Sequence, residues 1–133
     1  MSDAGLVTVE SAFPVSETVD RLAAAAEAAG MRVFARVDHA AGAAEVSLPL
    51  RPTELILVGN PRGGTPLMQD GQTAEIDLPL RALAWEDADG RVWVTTNDAD
   101  WIAARHGLGE ASAAAVAAVS AGLARIVGEA TAG

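Results

Sequence analysis

At 133 residues, half of them hydrophobic, the chain can bury a core without staples and is expected to form one domain, residues 1–133. It has no cysteine, which excludes disulfides, thiol redox chemistry and cysteine-ligated zinc; no other metal or cofactor motif occurs, so none is expected. A net charge of −9, with every cation an arginine, disfavours contact with phosphate backbones and sets nucleic-acid binding aside.

The amino terminus, Met1 to Gly5, carries no basic region followed by an apolar run, and no stretch approaches the roughly 20 apolar residues of a membrane span. A cytoplasmic location is the expectation. Leu6 to Phe13 alternates as a half-buried strand. After Pro14, Ser16 offers an N-cap, Glu17 and Asp20 place negative charge in the first turn, and Val19, Leu22, Ala23, Ala26 and Ala29 form the apolar stripe of a helix ending at Gly30. Met31 to Asp38 alternates again, which predicts Val33, Ala35 and Val37 on one face and Arg32, Phe34 and Arg36 on the other.

His39 to Ala44 reads as a turn or loop, and Glu45 to Leu50 as a short strand before Pro52. Leu55 to Val58 is a continuous apolar run suited to a strand covered on both faces. Gly59 to Gly64 reads as a tight loop, with Thr65 as N-cap and Pro66 as first residue of a short helix. Two strands flank Ala88-Asp89-Gly90 as a hairpin that opposes Asp87 to Arg91 and Trp85 to Trp93. Asn97 or Asp98 caps a short helix through His106, Gly107 ends it, and Val116, Val119, Leu123, Ile126 and Val127 mark a closing helix before a fraying Thr131 to Gly133.

This order predicts an α+β layer with helices on one face of a mainly antiparallel sheet. Small hairpin residues, Ala82, Ala84, Val92 and Val94, suit the helix side; Arg81, Leu83, Trp85, Arg91, Trp93 and Thr95 then take the open side, joined by Phe34 with Arg32 and Arg36. Tryptophan beside arginine describes an interface centre, so Phe34, Leu83, Trp85 and Trp93 are candidates for a dimer contact. A slip of one residue would instead place the tryptophans in the core.

Residues Arg51-Pro52-Thr53-Glu54, Gly59-Asn60-Pro61, Gly64-Thr65-Pro66-Leu67-Met68, Asp77-Leu78-Pro79-Leu80-Arg81, Trp85-Glu86-Asp87 and Asn97-Asp98 resemble the domain of unknown function 302 family, DUF302, of bacterial and archaeal proteins. The resemblance is clear from roughly Glu10 to Glu110, within a family-like core of about residues 6–128. It implies a TATA-binding-protein-like fold, one curved sheet with two principal helices behind it, and homodimers. It implies no activity.

Chemistry must therefore be sought residue by residue. The loop from Gly59 to Pro66 runs into a helix start, where free backbone N–H groups could hold a small anion with Arg62 as counter-charge; a purely structural turn is the other reading. Asn60 and Thr65 add polar side chains there, and Arg51 is a further anion clamp. His39 and His106 are the only histidines, hence the only imidazole bases; loop anchoring and helix capping are their structural alternatives. Asp77 with Arg81 reads as a structural ion pair. Two functions follow as expectations: a homodimeric small-ligand-binding or sensory module using His39, Arg51, Asn60, Arg62, Thr65 and His106, or a small enzyme with a histidine base and an Arg/Asn anion-orienting loop.

Overall fold

The computed structural model describes residues 4–133, so Met1 to Asp3 of the amino-terminal stretch lie outside the described residues. Five antiparallel strands, β1 (Leu6–Ser11), β2 (Arg32–Asp38), β3 (Thr53–Gly59), β4 (Leu80–Glu86) and β5 (Val92–Asn97), form one open sheet in the order β1-β5-β4-β3-β2. Helices α1 (Val15–Ala28) and α5 (Glu110–Thr131) pack on each other and against one sheet face. Their stripe of Val19, Leu22, Ala26, Leu123 and Ile126 closes over Ile56, Val58, Ala82, Ala84 and Val94. The alanines on β4 are what let the helices approach: each is fully buried, and larger side chains there would push the layers apart.

The hairpin has the expected register, with Trp85 opposite Trp93, an Asp87 N–H to Arg91 C=O bond of 2.8 Å, and Gly90 in the left-handed conformation its turn requires. Leu83, Trp85, Trp93 and Thr95 therefore occupy the face away from α1 and α5. β3 lies inside the sheet, yet only one of its faces is sealed: Glu54, Ile56 and Val58 are buried, whereas Leu55 and Leu57 stay half-buried on the open side.

Strict alternation fails in β2. Between Val33 and Ala35 the pairing with β3 shifts, so Phe34 sits in a bulge and the face order reverses beyond it. Arg36 consequently opposes Ile56 on the helix side, and Ala35 and Val37 take the open side, the opposite of the simple reading. One inserted residue is enough, because the side-chain period of a strand is two.

Other local expectations also change. α1 starts at Val15 with no side-chain cap from Ser16; its entry is held instead by a buried Ser11 Oγ to Thr18 Oγ1 hydrogen bond of 2.7 Å. His39 to Ala44 is helical, forming α2 (His39–Glu45), since Asp38 Oδ1 accepts the Ala41 N–H at 2.9 Å and alanine propensity outweighs the single Gly42. Val46 to Leu50 then forms no strand, and Val46 and Leu48 are 66% and 62% exposed.

α3 (Pro61–Asp70) begins five residues before the helix start expected at Pro66. Asn60 caps it, Pro61 takes the first position, and Pro66 lies inside. A 3₁₀ segment (Gln72–Asp77) and α4 (Ala99–Arg105), capped by Asp98, complete a second small core around Leu67, Ala74, Ala99 and Val116.

α5 is long and apolar enough, by length and composition, to cross a membrane, contrary to the expectation for this chain. Here it is the central helix of the layer: Val116, Leu123, Ile126, Val127 and Ala130 are buried against the sheet, α1 and α3. Its end does not fray at Thr131, whose hydroxyl donates to Val127 C=O at 2.7 Å and whose own C=O accepts the Ala12 N–H at 2.9 Å.

Candidate functional site

Where β2 begins and β3 ends, α3 and α5 leave a cleft of ≈ 660 Å³. That is within the roughly 300–1,000 Å³ of small-molecule sites. Its walls are mostly apolar, with Met31, Phe34, Met68, Leu78, Pro79 and Val119 supplying the larger groups. The helices carry small residues where they face the cavity: Gly63 and Gly64 on α3, Ala115, Ala118 and Gly122 on α5. A Cβ on Gly63 would stand 3.4 Å from Val119 Cγ2, and one on Gly122 would stand 3.2 Å from Met31 Cε, so these glycines set how closely the walls approach. Glycine inside an alanine-rich helix costs about 1 kcal/mol relative to alanine; Gly122 was thus the legible sign of a special position on α5.

Asn60, Arg62 and Thr65 all line this cleft, joined by Glu75 and Arg125, which the sequence did not single out. The backbone amides are another matter. Asn60 Oδ1 accepts the Arg62 N–H at 3.0 Å, and Asn60 C=O accepts the Gly63 and Gly64 N–H groups, each at 2.9 Å. Pro61 and Pro66 have no N–H. The expected free amides at this helix start are therefore engaged in the helix itself, and recognition in the cleft falls to side chains.

His39, Arg51 and His106 are not among the lining residues. His39 is the first residue of α2 and Arg51 lies in the exposed segment before β3. The His106 side chain is only 6% exposed. Its Nε2 meets Asp77 Oδ2 at 2.5 Å, its Nδ1 meets Thr73 Oγ1 at 2.9 Å, and Arg105 donates to both Asp77 oxygens at 3.0 Å. Asp77 is thus paired with Arg105 and His106, not with Arg81, whose guanidinium contacts Ile76 C=O. The imidazole pins the 3₁₀ segment to α4, a join between residues 29 apart that no local pattern announces. With neither histidine in the cleft, a histidine base acting on a ligand beside Asn60 and Arg62 loses its geometry.

The open sheet face is the second notable surface. The Trp85 and Trp93 rings stack with centroids 6.4 Å apart. Trp85 Nε1 donates to Thr95 Oγ1 and Trp93 Nε1 to Asp87 Oδ2, both at 2.9 Å, so each indole edge is satisfied within the chain. The Trp93 N–H, followed against some desolvation by the Arg91 and Asp89 backbone N–H groups and the Arg91 charge, holds the Asp87 carboxyl below the usual carboxylate range. A folded value below the unfolded one stabilises the fold above the unfolded pKa of about 3.9, and that stabilisation is lost as pH falls through the folded value. The stability deficit of Asp87→Asn, measured by urea unfolding, is accordingly expected to be full at neutral pH and to shrink in acid. A deficit constant from neutral to strongly acidic pH would contradict this.

An open antiparallel sheet backed by two long helices, with a side-chain-lined cleft between the helical elements, defines an α+β layer module. The match to the family described as "Domain of unknown function DUF302" spans residues 7–128, and the chain belongs to that family. The crystal structure of an uncharacterized conserved DUF302 protein from Bacillus stearothermophilus shares the fold with a TM-score of 0.84 at 16% identity, covering 95% of this chain and 98% of that one.

Curated relatives add a different context. The chain is 58% identical over 120 residues to the fluoride-specific ion channel FluC 1 of Brucella suis, matching 90% of this chain and 47% of that protein. FluC 1 of Brucella abortus is also 58% identical over 120 residues, with 44% of its length matched. The chain spans about half the length of the curated relatives it matches.

Proposed function

We propose that this chain is a homodimeric small-ligand-binding or sensory module whose ligand occupies the cleft between α3 and α5. The cleft carries the reading: it is concave, largely apolar, and provided with a few polar side chains, the usual composition of a small-molecule site. In the Brucella relatives the corresponding region is less than half of a protein named as a fluoride channel.

The test is a thermal-shift screen of metabolites, because a ligand that binds only the native state stabilises it by RT ln(1 + [L]/Kd), about 2.7 kcal/mol at a hundredfold excess over Kd. Ala118 is exposed and lines the cleft, so Ala118→Trp fills the cavity without entering the core. Hits are expected to stabilise the wild type and to lose that effect in Ala118→Trp. Hits that stabilise both proteins equally would remove the cleft from the reading.

A dimer is favoured by the Trp85–Trp93 face. Because both indole N–H groups already have partners, the rings can be dehydrated against a second copy without stranding a donor. Leu55, Leu57 and Leu83 extend the same half-buried surface across the neighbouring strands, in keeping with a self-complementary contact.

A further inference from the structure

The polar side chains of the cleft have a directional chemistry. The side-chain oxygen of Asn60 accepts the Arg62 N–H, which leaves its amide NH₂ as the group with capacity to spare. Arg62 lines the same cleft two residues further on and forms no ion pair among the described residues, and a guanidinium can only donate. The Thr65 hydroxyl lies one turn further along α3. Arg125 approaches from α5, its charge shared with Glu129 through a 3.1 Å contact. Glu75 is the single acidic side chain of the lining, against two arginines and the partial positive charge of the α3 N-terminus. The remainder is hydrocarbon and thioether, with Met31 and Met68 as adaptable walls.

We infer that the cleft selects an apolar-bodied monocarboxylate, its carboxylate held by Arg62 and the Asn60 amide and its body lying between α3 and α5 toward Met31, Met68 and Val119. This rests on the cleft being a ligand site, and adds which ligands it takes. The acceptor must come from the ligand because the protein offers donors there. A planar guanidinium beside an amide matches the two oxygens of a carboxylate, and charge-assisted bonds of this kind are about twice as strong as neutral ones. An amine of the same shape would meet two arginines and an amide with only Glu75 to receive it.

Asn60→Asp separates recognition from folding. Aspartate caps a helix as well as asparagine, so the Arg62 N–H keeps its acceptor, but the free donor becomes a negatively charged acceptor. The measurement is isothermal titration of the intact chain with butanoate, octanoate, dodecanoate and phenylacetate, each against the amine and alcohol of the same skeleton. At least one carboxylate is expected to bind saturably and more tightly than its amine and alcohol. Asn60→Asp and Arg62→Gln should each weaken it roughly tenfold, about 1.4 kcal/mol, with the melting temperature unchanged. Amine or alcohol binding equal to carboxylate binding, insensitive to both variants but abolished by Ala118→Trp, would overturn the carboxylate assignment while leaving the cleft a ligand site. No saturable binding by any member of the series would overturn the assignment, and ligands found in the metabolite screen would then decide the broader reading separately.

Discussion

Arg36→Ala is expected to lower unfolding free energy by about 2–3 kcal/mol, a large share of the roughly 5–15 kcal/mol of an ordinary domain. The Glu54 side chain is only 11% exposed and lies on the helix side of β3. Both of its hydrogen bonds come from Arg36, from Nε at 2.9 Å and from a terminal nitrogen at 2.8 Å, while the other terminal nitrogen reaches Asp20 on α1 at 2.8 Å. Desolvation opposes the guanidinium charge, but hydrogen bonds to Asp20 and Glu54 outweigh it, and the Arg36 pKa is raised.

Truncating Arg36 strands a carboxylate beneath α1, the situation in which breaking a buried pair costs about 3–5 kcal/mol. The arginine is 35% exposed, so solvent screening places the expected loss below that range. Glu54→Leu should cost less, since Arg36 retains Asp20 and water, and Arg36→Met with Glu54→Leu together should recover most of the loss. Urea unfolding of these proteins checks this, with the wild type, Arg36→Met, Glu54→Leu and their double variant forming the double-mutant cycle. Additive single effects would show that the pair does not act as a unit.

Trp93→Glu is expected to convert a dimeric wild type into a monomer, with an association constant at least about 30-fold lower, as truncating a central aromatic anchor costs about 2–4 kcal/mol. A carboxylate placed at the centre of an apolar contact adds an unpaired charge on both copies of a symmetric interface. The substitution also removes the indole donor to Asp87, so far-UV circular dichroism must accompany light scattering. Trp93→Phe supplies the control: it loses the hydrogen bond but retains an apolar ring, and should stay dimeric. A wild type that is monodisperse and monomeric by light scattering would sink the sheet-face contact regardless of what the variants do.

The bulge at Phe34 shows why a face assignment can succeed on one strand and fail on the next. In β4 and β5 the small residues alternate without interruption, so Ala82, Ala84, Val92 and Val94 point to the helices as their size requires. In β2 the same arithmetic places Arg36 on the open side, but an extra residue opposite β3 carries it to the helix side, where Glu54 and Asp20 wait. Arginine and phenylalanine in alternation gave no warning. The start of α3 failed differently. Asn60-Pro61 and Thr65-Pro66 are both legitimate cap-and-first-residue pairs, and two glycines between them argue for a loop. Choosing the earlier pair extends the helix and engages all its first amides with Asn60, which removes the backbone anion site expected there.

By itself the sequence determined what depends on neighbours along the chain. The Asp87 to Arg91 hairpin with Gly90, a helix cap at Asn97 or Asp98, the apolar stripes of α1 and α5 and the layer class all follow from residues within about one or two turns of each other. Only the tertiary structure decided the partners of Asp77, Glu54 and His106, the residues that line the cleft, and the absence of both histidines from it. Those outcomes depend on register and helix placement across separations of up to dozens of residues, where many pairings satisfy the same local rules and packing selects one. Asn60, Arg62 and Thr65 were legible as a polar group at a helix start. That they face α5 across an apolar cavity was not, because the opposite wall is an alanine-rich helix whose side chains declare no partner of their own.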